Sequence, residues 1–137
     1  LVDVSGFVPA GATGLSTVAP ARLLDTRPGG TTIDDVSAGD GRVAPDGFIE
    51  VQVAGRADVP DGAAAAIVNL VVVDPDGPGF VTLYPCGDVP VASNVNHATA
   101  GGARANNSVV ELSDSGSLCI YTLSGADLVL DLTGWVD

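Results

Sequence analysis

The sequence predicts an all-β domain, an antiparallel β-sandwich with a β-barrel or a β-trefoil-like arrangement as the alternatives. Three observations carry that reading: turn signals at even intervals, segments between them with strand periodicity, and acid supplied almost wholly as aspartate. Pro-Asp-Gly occurs at Pro45-Asp46-Gly47, Pro60-Asp61-Gly62 and Pro75-Asp76-Gly77, fifteen residues apart each time. Proline presets the first turn dihedral, aspartate tolerates the left-handed region and glycine supplies positive φ, so each triplet marks a reversal. Fifteen of the 17 acidic residues are Asp, a poor helix former that favours turns and caps.

Taken in order, Gly11 to Pro20 reads as a loop, Arg22 to Thr26 as a strand, and Pro28 to Asp46 as a second loop rich in Gly, Thr, Ser, Pro and Asp. Phe48 to Ala54 alternates, with Ile49, Val51 and Val53 inward and Glu50 and Gln52 outward, the pattern of a half-buried sheet. Ile67 to Val73 is nearly continuous in apolar residues, as in a central strand covered on both sides. Asn69 within it then needs a partner from a neighbouring loop. Phe80 to Tyr84 follows, and the three segments joined by the triplets make an antiparallel meander. Asn94 to Leu112, Ser117 to Leu123 and Asp127 to Val136 bring the total to about eight short strands, the number expected of a sandwich or barrel.

A chain of 137 residues, 46% of them hydrophobic, suits one core rather than several. Its longest apolar stretch, Ala63 to Val73, is broken by Asn69 and falls short of the roughly 20 residues of a spanning helix, so no membrane insertion is expected. The five cations are all arginine and the net charge is −12. Such a field repels phosphate backbones and anionic headgroups, which sets nucleic acid and membrane surfaces aside as partners. Cys86 and Cys119 form an even count without a zinc pattern, which points to one disulfide and an oxidising compartment, with two buried thiols as the other reading. If the two face each other on neighbouring antiparallel strands, paired positions sum to 205, with Tyr84 opposite Tyr121 and Thr82 opposite Leu123.

The two ends of the sequence echo each other. Val2-Asp3-Val4-Ser5-Gly6-Phe7-Val8 matches Leu130-Asp131-Leu132-Thr133-Gly134-Trp135-Val136 class for class, 128 residues apart. That is what a cut through a tandem array leaves, so residues 1–9 read as the closing strand of a preceding repeat, or an edge strand, and 10–137 as a single β domain. Leu1 opens on a strand pattern with no leader segment, which gives the sequence the look of a piece of something longer.

With these residues in view, the sequence resembles a tandem β module of actinobacterial secreted and cell-surface proteins. The carrying segments are Pro20-Ala21-Arg22-Leu23-Leu24-Asp25-Thr26-Arg27, Gly79-Phe80-Val81-Thr82-Leu83-Tyr84-Pro85-Cys86-Gly87, Ala92-Ser93-Asn94-Val95-Asn96, Cys119-Ile120-Tyr121 and Asp131-Leu132-Thr133-Gly134-Trp135. The resemblance implies an accessory, non-catalytic extracellular module with neighbouring repeats or domains in a longer chain. It attaches no particular ligand.

Candidate chemistry is sparse. The single histidine, His97, has no nucleophile elbow beside it, and the aspartates cluster at turns rather than as a paired acid and base, so no enzyme is expected. Asp74 and Asp76 begin like a calcium loop, but the later ligands and closing Glu are missing. Asp34 and Asp35 with Asp40, and Asp58 with Asp61, are further acid clusters; no cofactor is expected, with a hard cation such as calcium, which carboxylate-rich loops suit, as the alternative to solvated turn acids. Arg27 and Asp25 share a strand face and can form a forked ion pair that fixes the segment after Pro28. Arg104 is the freest cation. Asn94, Asn96, His97, Arg104 and Asn106, with Tyr84 and Tyr121 as a stacking platform, form the candidate ligand patch for a glycan or cell-surface polymer. The competing readings are amides that cap loop backbone and a spacer repeat in a stalk, with no ligand.

Overall fold

In the computed structural model, residues 14–137 are described; the proposed repeat at residues 1–9 lies outside them. Among the described residues eight strands form two four-stranded antiparallel sheets, and there is no helix. β1 (Leu15–Asp25), β8 (Asp127–Val136), β3 (Ala65–Val73) and β6 (Ala103–Glu111) make one sheet in that order. β2 (Gly47–Gln52), β7 (Ser117–Thr122), β4 (Gly79–Tyr84) and β5 (Val95–His97) make the other. The sheets pack face to face as a sandwich. Leu23, Val68, Leu70, Val72, Leu128, Leu130 and Leu132 from the first meet Val51, Val81, Leu83, Val95, Leu118 and Ile120 from the second.

The triplets do turn the chain, but Asp46 takes the positive φ (56°) and the glycines Gly47, Gly62 and Gly77 do not, and the strands they separate do not pair in a meander. β3 belongs to the opposite sheet from β2 and β4. A turn signal specifies a reversal of direction, while the choice of sheet is made by which apolar face the next strand can bury. β3 is central in its sheet, between β8 and β6, yet its residues alternate between buried and half-buried along its length. It is covered on one face only, and Asn69 stands half-buried on the outer face, cross-strand from Asn107 and Asp131.

β1 begins earlier than expected, taking in Leu15–Pro20. The ladder to β8 shifts register between Thr17 and Ala21, which accommodates Pro20, a residue with no N–H to give; a bulge on an edge strand is where proline is tolerated.

The long connection from Thr26 to Asp46 is held by arginines. The Arg27 guanidinium grips Asp25 in a fork, Nε to Oδ1 at 2.8 Å and Nη2 to Oδ2 at 2.6 Å, and Arg22 joins Asp25 to Asp131. Arg56, almost fully buried, holds the middle of the connection through two 2.7 Å bonds to Asp34 and one to the Val36 carbonyl. Arg42 closes the end against Asp76, Asp127 and the carbonyls of Asp74 and Gly125. These bonds hold the Asp25 carboxyl below the ordinary range, chiefly through Arg27, and Asp34 at about 2, chiefly through Arg56.

Candidate functional site

The site is built on the outer face of the second sheet. Residues alternate across a strand, so with Val81, Leu83, Leu118 and Ile120 in the core, the side chains of Phe80, Thr82, Tyr84, Cys119 and Tyr121 point away from it. Pro85 ends β4, and residues 85–93 double back across that face as a strap. A disulfide from Cys86 to Cys119, with a Cα–Cα distance of 5.0 Å, fastens one end. The Thr82 hydroxyl donates to the Ala92 carbonyl at 2.6 Å and fastens the other. Beneath the strap Thr82, Tyr84 and Cys119 are buried despite facing outward.

Where the strap ends, a cleft of about 560 Å³ opens to solvent. Phe80 and Tyr121 form its floor, with ring centroids 5.9 Å apart at 45°. Phe48, 64% exposed, is the direct cross-strand neighbour of Tyr121 on β2, so an aromatic row crosses three strands. The strap residues Val89, Pro90, Val91 and Ala92 make an apolar wall, and Val91 is wholly exposed. Polar groups sit at the margin. Asn96 lies opposite Phe80 on β5, and its amide donates to the Ser93 hydroxyl at 3.1 Å. The Tyr121 hydroxyl donates to Asp46 Oδ1 at 2.6 Å; that bond, with burial adding to it, raises the phenol pKa above its ordinary value of 10.0.

Of the residues expected from the sequence, Asn96 and Tyr121 reach this cleft. The others do not. The β4–β7 register pairs Tyr84 with Cys119 and Thr82 with Tyr121, so paired positions sum to 203 rather than 205 and no tyrosine ladder forms. The reason is that Cys86 bridges from beyond the strand end, not from a rung of the ladder. Tyr84 is buried under the strap and burial raises its pKa. Asn94 is a clip between the sheets: its Oδ1 accepts from the Leu83 N–H at 2.7 Å and its Nδ2 donates to Ser108 on β6 at 2.9 Å. Asn106 donates to the Asn94 carbonyl at 2.8 Å. His97 is turned inward and 5% exposed, with Nδ1 donating to the Gly77 carbonyl at 2.9 Å and Nε2 without a partner. Arg104 stands exposed on β6, bonded to the carbonyl of Ala103.

Asp74 accepts from the Gly102 N–H and Asp76 from Arg42. Among the described residues no three His, Cys, Asp or Glu side chains converge on a common point, and no helix is long and apolar enough to cross a membrane.

The chain matches no protein-family model and no curated protein.

The sequence reading missed Asp46, Phe80 and the strap. Asp46 was accounted for by its turn, but the exposed run Val89-Pro90-Val91, apolar in a loop, was a usable signal. So was the outward parity of Phe48 and Phe80.

Proposed function

We propose that this is a non-catalytic, extracellular binding module that holds a glycan or cell-wall polymer in the cleft beside the strap. The observation that carries the reading is the solvent-open aromatic row, Phe48, Tyr121 and Phe80, bordered by Asp46, Ser93 and Asn96. An aromatic face packs against the C–H face of a sugar ring, while amide, hydroxyl and carboxylate groups at the margin bond its hydroxyls. A sheet clamped by a disulfide presents that row with little conformational freedom to lose on binding. The disulfide also supports an oxidising location, as does the resemblance to actinobacterial surface modules. The inward, carbonyl-bonded His97 supports the non-catalytic part.

A spacer role gains less from the geometry. Leu15 pairs with Val136, and the Asp137 N–H donates to the Gly14 carbonyl at 3.0 Å. Gly14 and Asp137, the two ends of the described residues, therefore lie together at one pole, so these residues add little length between them. Retention on insoluble polysaccharides tests the binding reading. The wild type should be held on at least one of chitin, chitosan, cellulose, xylan or peptidoglycan, and Tyr121→Ala should elute with a non-binding control; no retention on any of them contradicts it.

A further inference from the structure

The cleft's charge distribution points beyond a glycan in general. Four of the five arginines are committed to ion pairs that hold loops: Arg22 and Arg27 at Asp25, Arg42 at Asp76 and Asp127, Arg56 at Asp34. The fifth, Arg104, lies on β6 in the other sheet. Among the described residues no cation lines the cleft. Asp46 lines it, and among the described residues that carboxylate is in none of the salt bridges; its Oδ1 accepts from the Tyr121 hydroxyl. A carboxylate beside two aromatic rings is a pairing that favours an ammonium group, through ring quadrupole and Coulomb attraction together. The −12 net charge adds a field of the same sign.

We propose that the ligand is a polymer of amino sugars carrying free, protonated amines, with one ammonium seated between Asp46 and the Phe80–Tyr121 floor. This rests on the glycan reading above. The sugar ring supplies the apolar face that the Val89–Ala92 wall and the aromatic row require, and the amine supplies the charge that Asp46 lacks. A neutral or N-acetylated sugar would leave Asp46 without that partner, and an acidic one would be repelled.

Calorimetric titration at about pH 5.5 and low salt, with the amines charged, compares three probes: a β-1,4-linked glucosamine tetramer, its fully N-acetylated counterpart, and tetralysine. An exposed ion pair and a cation–π contact together are worth about a factor of ten. The glucosamine tetramer should therefore bind about tenfold tighter than the acetylated one, and the gap should shrink as salt is raised. Asp46→Asn keeps the left-handed backbone, which asparagine adopts readily, and should close the gap to within about twofold. Equal or tighter binding of the acetylated tetramer overturns the proposal while leaving the glycan reading intact. Tetralysine binding as tightly as glucosamine, with the same dependence on Asp46, overturns it in favour of a basic peptide. If neither tetramer binds, the proposal falls, while the glycan reading stands or falls on the polysaccharide retention described above.

Discussion

Asp46 does two jobs with one carboxylate: it occupies the left-handed position of a turn and accepts the hydroxyl proton of Tyr121 from across the cleft. A phenol whose neutral form is favoured in the fold contributes stability that is present below its unfolded value of 10.0 and lost as pH rises through the higher folded value. Alkaline titration followed by tyrosine absorbance should show both phenols ionising late, and Asp46→Asn should bring Tyr121 back toward the ordinary value while Tyr84 stays high. Asp34 works with the opposite sign. Its carboxyl sits at about 2 rather than 3.8, so its contribution is complete above the unfolded value and disappears as pH falls through about 2. Asp34→Asn should lower the melting temperature at neutral pH, by the equivalent of a few tenths to about 1 kcal/mol because the Asp34 side chain is itself 35% exposed, and the difference should vanish as pH falls through about 2. The Arg27–Asp25 fork was readable from spacing two along one strand. The Arg56–Asp34 pair was not, because its partners are 22 residues apart and meet only once the connection folds.

At the level of elements, the strap depends on its disulfide. Closing a loop with a sequence separation of 33 restricts the unfolded chain by about 3–4 kcal/mol in the entropic account. Replacing both cysteines by serine should lower stability by that order in denaturant unfolding, and should cost cleft binding more than packing elsewhere, since the Val89–Ala92 wall is then held mainly by the Thr82–Ala92 bond. Leu130→Ala tests the other element that matters, the β8 rib between β1 and β3; with the side chain fully buried the loss should be about 2–5 kcal/mol, read from the denaturant midpoint at constant slope. Strand positions from Phe48 onward were legible in the alternation and turn chemistry. The start of β1 was not, because Pro20 argues locally for a loop and only the bulge against β8 makes it a strand.

Across the described molecule, two sheets, eight strands and one disulfide agree with the spacing of turns, the alternation between them and the even cysteine count. The pairing order does not follow. Successive strands β2, β3 and β4 alternate between sheets, a choice made by burial of long-range faces that local signals do not encode. The same gap displaced the candidate site: Asn94, Asn106 and His97 cluster in sequence around β5 and β6, but folding spends the two amides on clipping the sheets together and His97 on the Gly77 carbonyl, and the open face is built instead from β2, β4 and β7. The measurement that tests this placement most directly is backbone-amide NMR mapping with the glucosamine tetramer. Shifts concentrated at Phe80, Ser93, Asn96 and Tyr121 are the predicted result; shifts centred on Arg104 and Asn106, or none at saturating ligand, would contradict it.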